Sequence, residues 1–277
     1  MAGTVRKILN WHAKLRLKAG VNAFRQKTIG GEIVEAQIKL GRMGIRRGNA
    51  GHTTRRIRRE LVAIGKRSPG FKPVKVHSKF VANFGNEIAK ALNAQFKARG
   101  IAKGARLDRG LIVQIGLAHD SRRDFKDQDA QAQIIWARRG APRIAKLIGT
   151  GASWSLANYA SWPLERKILG LGDNICRGVK VGNTFKNGII PSETAYKLLI
   201  SQRQKDTKMV DAMTRERQAV IKFEKELEGN GVDVHGIIRK MMQKNPKGFL
   251  EEVQRQTDQK VDEIMRASFE RCEIRSF

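Results

Sequence analysis

Positive charge is so unevenly placed along this chain that it limits how each part can fold. Residues 1–110 hold 26 Lys or Arg against 5 Asp or Glu, residues 111–190 hold 12 against 6, and residues 191–277 hold 17 against 15. The segments therefore carry +21, +6 and +2, and together they make the +29 of the 277-residue chain. A lone compact domain with the first segment's charge repels itself unless counterions or a polyanion screen it. The amino-terminal third is thus expected to face a polyanion and to order in an assembly, and the nearly neutral last third to face protein.

The hydrophobic fraction, 40%, supplies a core, so the chain is not a disordered basic tail. A charge interrupts every apolar run long enough to span a bilayer, which excludes a transmembrane helix. The opening MAGTVRKILNWHAKLRLK lacks the apolar run of a secretory signal, so a soluble protein made inside the cell is expected. Its basic amphipathic pattern also resembles a mitochondrial targeting segment. Cys176 and Cys272 lie too far apart to suggest a disulfide framework or a Cys-based zinc site.

The strongest candidate for polyanion contact is the run GRMGIRRGNAGHTTRRIRR, with four glycines and seven arginines in nineteen residues. Flexible backbone and guanidinium groups suit close approach to phosphates; the competing reading is an exposed cationic loop kept soluble by its charge. Ile57, Leu61, Val62 and Ile64 then predict a helix with one apolar strip and a basic face, stopped by Ser68-Pro-Gly-Phe-Lys-Pro73. The expected contact residues are Arg42, Arg46, Arg47, Arg55, Arg56, Arg58, Arg59, Lys66, Arg67, Lys72 and Lys75. Between Ser78 and Gly100 the spacing of Phe80, Phe84, Ile88, Leu92 and Phe96 predicts a helix whose aromatics are core rather than base-stacking groups.

In the middle of the chain, Gly110–Ala118 reads as a buried strand and Gln131–Ala137 as a second. Asp120, Asp124, Asp127 and Asp129 crowd between them, as a two-metal nuclease would need, but Arg122, Arg123 and Lys126 make a solvated mixed-charge loop the simpler reading. Residues 147–190 read as irregular or short-stranded, and neither Gly149-Thr-Gly151 nor Gly170-Leu-Gly172 continues as a phosphate loop. From Ser192 to Gly229 no proline or glycine interrupts, which predicts one long helix of roughly 54 Å. Its sparse apolar strip fits packing on a neighbouring subunit or docking within the chain. Two more helical segments are expected, over 233–243 and 248–272.

The five histidines are scattered, and none stands at i, i+4 with another ligand. No nucleophile elbow or phosphate loop occurs, so no catalytic residue, metal or cofactor is expected. Few Tyr and Trp point to backbone electrostatics rather than base readout. Eight to ten neutralised phosphates would cost about three to five decades of affinity between about 50 and 200 mM salt.

The order LIVQIGLA at 111–118, WARRGAP at 136–142 and GIIPSETAYKLL at 188–199 leading into a long helix resembles head-to-tail connector (neck or adaptor) virion proteins of tailed bacteriophages. That resemblance implies a homo-oligomeric ring of virion subunits that faces packaged DNA and docks its carboxy-terminal helices on a portal. The arginine-rich first 110 residues depart from that pattern and suit an internal or ejected virion protein better. A ribosomal or mitoribosomal rRNA-binding protein and a metal-dependent nuclease are the rival readings. The fold class expected is α+β and mostly α-helical, with a basic arm and helix over 1–76, a central α+β core over 77–190 and a helical region over 191–277 that meets neighbouring subunits.

Overall fold

The computed structural model describes residues 55, 57–59, 62, 71–101, 106–121, 128–148, 162–257 and 259–274. These form a mostly helical α+β protein: α1 (Phe71–Ala98), α2 (Arg109–Ala118), α3 (Gln128–Arg138), α4 (Pro142–Ile148), α5 (Leu164–Ile175), β1 (Cys176–Val181), β2 (Thr184–Ile189), α6 (Ser192–Arg203), α7 (Thr207–Gly229), α8 (Val234–Met242), α9 (Phe249–Gln256) and α10 (Gln259–Ile274). The chain divides into two compact units, Met1–Ile64 with Ala118–Gly151, and Gly65–Leu117 with Ala152–Phe277. Among the described residues, no helix is long and apolar enough to cross a membrane.

In the larger unit α1 begins at Phe71, ahead of the Ser78 start predicted, because Pro73 falls in the first turn, where its missing N–H costs no helical bond. Phe84, Ile88 and Leu92 are buried and Phe80 and Phe96 half-buried, so this aromatic stripe is core. The helix stops at Gly100, whose φ of 74° suits glycine, as Ile101 N–H bonds back to the Phe96 carbonyl at 2.9 Å.

The segment expected as a buried strand, 110–118, is instead α2. Asp108 Oδ1 accepts from Leu111 N–H at 3.0 Å and caps it, while Leu111, Ile112, Ile115 and Leu117 are all buried. A segment apolar on every side hides its period, so a buried helix reads like a buried strand. Gly116 lets α2 approach α1, since a Cβ there would stand 2.6 Å from Ala82 Cα.

The second expected strand, 131–137, is also helical and belongs to α3 in the smaller unit. Ala132, Ile134, Trp136 and Ala137 are buried there with Ile144 and Ala145 of α4. The Trp136 indole N–H donates to Ser121 Oγ at 3.0 Å, which satisfies its buried polar atom.

Strands lie later, at β1 and β2, paired antiparallel from Cys176↔Ile189 to Val181↔Thr184. Gly182-Asn183 closes the hairpin, and a positive φ of 57° at Gly182 alone fits a type II′ turn. Before the hairpin, residues 164–175 form α5, where irregular or short-stranded structure was expected.

The single long helix predicted over 192–229 is broken into α6 and α7 at Gln204–Asp206. Asp206 Oδ1 accepts from Met209 N–H at 3.0 Å, so a capping side chain ends one helix and starts the next without proline or glycine. The apolar strip of α7 docks within the chain: Val210, Val220, Phe223 and Leu227 are buried, leaving Met209 exposed. Asp211 joins α7 to α10 by accepting from Ser268 Oγ at 2.8 Å and Arg271 Nη2 at 2.9 Å. The helix expected over 248–272 is likewise two, α9 and α10.

Candidate nucleic-acid interface

A helix advances about 100° per residue, so Lys75, Lys79, Lys90 and Lys97 fall within an arc of about 60° on α1. All four are exposed, and none has an ion-pair partner among the described residues. From Lys75 to Lys97 the row runs about 33 Å, at 1.5 Å per residue. Glu87, the helix's one acid, is half-buried on the flank of this row.

Two asparagines on the same face build the row outward. Asn86 lies between Lys79 and Lys90, and its Oδ1 accepts from Arg109 Nε at 3.1 Å and Nη2 at 3.0 Å. The exposed Arg109 guanidinium is thereby held over the longest gap between lysines. Asn93 Nδ2 donates to the Leu107 carbonyl at 3.0 Å, and its Oδ1 accepts from Leu107 N–H at 2.9 Å. Arg106 is turned inward instead, with Nε and Nη2 on the Ile101 carbonyl at 3.0 and 2.9 Å. Asp108 is exposed nearby, but its carboxylate is engaged in capping α2.

The smaller unit carries its own basic face. Arg55, Ile57, Arg58, Arg59 and Val62 are helical; Ile57 is fully buried and the three arginines are exposed. Buried Ile57 beneath exposed arginines fits the expected strip and basic face at that position, whereas Val62, expected on the strip, is exposed, and Leu61 and Ile64 lie outside the described residues.

Of the residues expected to contact phosphates, Arg55, Arg58, Arg59 and Lys75 are therefore exposed cations on helices. Lys72 lies in the first turn of α1. Arg42, Arg46, Arg47, Arg56, Lys66 and Arg67 lie outside the described residues, as do the segments 4–18 and 30–40, Gly149-Thr-Gly151, Asp124 and Asp127. The sequence reading missed Lys79, Lys90, Lys97 and Arg109. The first three were legible from the helical period already used to place the aromatic core. Arg109 depends on the tertiary bond to Asn86 and had no local signal.

His77 Nε2 pairs with Asp173 Oδ1 at 2.9 Å and ties α1 to α5 in the larger unit. His119 Nε2 lies 3.8 Å from Asp120 Oδ2 in the smaller one. Cys176 and Cys272 are both buried and not joined in a disulfide. Elsewhere in the larger unit, burial pushes the Glu224 carboxyl above its ordinary range, opposed by the Ser192 hydroxyl, which donates to it at 2.6 Å. Comparisons with known protein families, characterised proteins and solved structures found no match.

Proposed function

We propose that this chain is a non-enzymatic, nucleic-acid-facing structural component of a large assembly. The observation that carries the reading is the row of exposed lysines on α1, which pair with no acid among the described residues, with Arg109 clamped over its gap by Asn86. Aligned cations about 33 Å long match about one helical turn of duplex, and they favour phosphate contacts that are indifferent to sequence. The exposed Arg55, Arg58 and Arg59 add a second cationic face, on the other unit.

The test uses a fluorescent duplex of about 30 base pairs, roughly three times the length of the row. Titration at low salt with the wild type and with the quadruple variant Lys75→Gln, Lys79→Gln, Lys90→Gln, Lys97→Gln should show tight binding lost in the variant. Equal binding by both would overturn the assignment of this face. Mg²⁺-dependent cleavage of the probe, lost in Asp124→Asn, would replace the reading with a nuclease.

Within this class we propose a head-to-tail connector subunit of a virion. Its support is the resemblance, now carried chiefly by Pro191 entering α6 straight from the end of β2; residues 111–118, expected there as a strand, are helical. Contact with neighbouring subunits or a portal through 192–277 would use a mixed-charge exterior, because the apolar strip of α7 is buried. Copy number in the purified particle decides. A ring of identical chains supports the connector, whereas one copy among rRNA makes it a ribosomal protein.

A further inference from the structure

One stretch runs against the near-neutrality of the last third: residues 234–250 hold Arg239, Lys240, Lys244 and Lys247 and no acid. All four are exposed, and none pairs with an acid among the described residues. Of the acids that flank the stretch, Asp233 is engaged in capping α8 through Gly236 N–H at 2.7 Å, and Glu251 is exposed on α9. Val234, Ile238 and Met241 are the buried side of α8, so Arg239 and Lys240 stand on its outer side. The negative end of the helix dipole is reason enough for those two. It does not account for Lys244 and Lys247, which lie past the helix on a turn that the hairpin holds in place. Asn245 accepts from Ile189 N–H at 2.8 Å and donates to the Ile189 carbonyl at 2.7 Å, while Phe249 is fully buried with Val179. Lys186 Nζ donates to the Lys247 carbonyl at 2.7 Å and brings a fifth ammonium group to the turn.

This face looks away from the lysine row. Both belong to the larger unit, in which α8 packs on α1. Just ahead of α8, the Gly231 carbonyl accepts from Gln95 Nε2 at 3.0 Å and Asn230 Oδ1 from Arg99 Nη1 at 2.9 Å. Gln95 and Arg99 stand two residues before and two after Lys97, each about 200° around α1 from it. The chain therefore reaches α8 on the side of α1 opposite the lysines, and α8 turns its own cations further outward. With axes about 8–10 Å apart and side chains reaching about 5–6 Å from each axis, the two charged faces are about 20 Å apart. Duplex DNA keeps its direction over about 150 base pairs and does not fold around so thin an edge, so one duplex cannot occupy both faces. We propose that the larger unit bridges two nucleic-acid segments, one along the α1 lysines and the other on the 239–247 face. The bridge rests on the nucleic-acid reading and extends it from binding one polyanion to holding two together, each compensated by its own set of cations.

The test is co-capture at low salt. Beads carrying the duplex probe are loaded with protein and offered a second, fluorescent copy of the same duplex, which the wild type should retain. The variant Arg239→Gln, Lys240→Gln, Lys244→Gln, Lys247→Gln should still bind a single duplex through α1 but retain the second at least about tenfold less. The double variant Lys244→Gln, Lys247→Gln, outside the helix, should lose part of the retention. Lys240→Arg, Lys244→Arg, Lys247→Arg keeps the charge and should keep the retention. Because these side chains are exposed, circular dichroism should match the wild type in every variant. Full retention by the quadruple variant would overturn the bridge and point to joining by oligomers or through Arg55, Arg58 and Arg59 of the other unit. An equal loss of single-duplex binding would overturn it too, since both faces would then serve one contact. A wild type that binds one duplex and holds no second would overturn the bridge and leave the nucleic-acid reading standing; one that binds no duplex would overturn both.

Discussion

Replacing Lys75, Lys79, Lys90 and Lys97 by glutamine changes the salt dependence of binding by an amount the geometry limits. Each lysine that neutralises a phosphate contributes about 0.9 to the slope of log K against log salt, so four contribute at most about 3.6. Between about 50 and 200 mM salt, a fourfold change, that slope is worth about two decades of affinity. The wild type should therefore lose about two decades more than the variant across this range, and the two binding curves should converge as salt rises. Fluorescence anisotropy on the duplex probe at four or five salt concentrations measures this directly. A slope that falls by less than one unit, less than a single phosphate contact, would refute the assignment even if affinity at low salt had dropped. The Asn86→Leu variant should act in the same direction through Arg109, flattening the slope by up to about one unit without removing a charge.

Four further substitutions probe the scaffold. Gly116→Ala gains about 1 kcal/mol of helix propensity but pushes a methyl against the Ala82 backbone at a cost of about 1–3 kcal/mol, so the melting midpoint should fall or stay level. The control Gly229→Ala, with open space around it, should raise the midpoint. Asn245→Ala leaves both backbone groups of the buried Ile189 without their side-chain partner and should cost about 2 kcal/mol or more in denaturant unfolding. Glu224→Gln should stabilise the chain at neutral pH, because burial raises this carboxyl's folded pKa above its unfolded one. Protonation relieves the buried charge, so the advantage over wild type should shrink as pH falls through the raised folded value toward the ordinary carboxylate range; an advantage independent of pH would refute the cause.

The sequence was informative wherever a segment buries one face and exposes the other. The α1 aromatics at every fourth position and the basic face around Arg55 to Arg59 were read correctly because the period of 3.6 is visible in them. It misled at 110–118 and 131–137, where burial on several sides erases the period, although Asp108 three residues before Leu111 was a capping signal. The break at Asp206 was readable in principle for the same reason. Short strands were allowed for within 147–190, but the hairpin was not placed there despite Gly182-Asn183 between two short runs, a two-residue turn signal. Of the candidate interface, the lysine spacing was in the sequence, but the absence of acids to pair with those lysines depends on how the helices pack.

That last point separates two helices of similar length and design. α7 has five basic and five acidic residues, and in the helical region around it charges are drawn into pairs: Arg217 with Glu193 at 2.6 Å, Arg271 with Asp211 at 2.9 Å, Lys197 with Asp262 at 2.6 Å. α1 has five lysines and one glutamate, and its four exposed, described lysines pair with nothing described. Lys75 and Lys79 even stand at i, i+4, where like charges cost about 0.2–0.5 kcal/mol. A helix serving only as scaffold gains nothing from that arrangement, since acids at the exposed positions Asn83 and Ala94, each four residues beyond a lysine of the row, would relieve it without touching the core. The repulsion becomes useful once an external polyanion supplies the missing negative charge. On the proposed reading the near-neutral carboxy-terminal helices are the support for this face, and the Arg217–Glu193, Arg271–Asp211 and Lys197–Asp262 pairs help hold that support together.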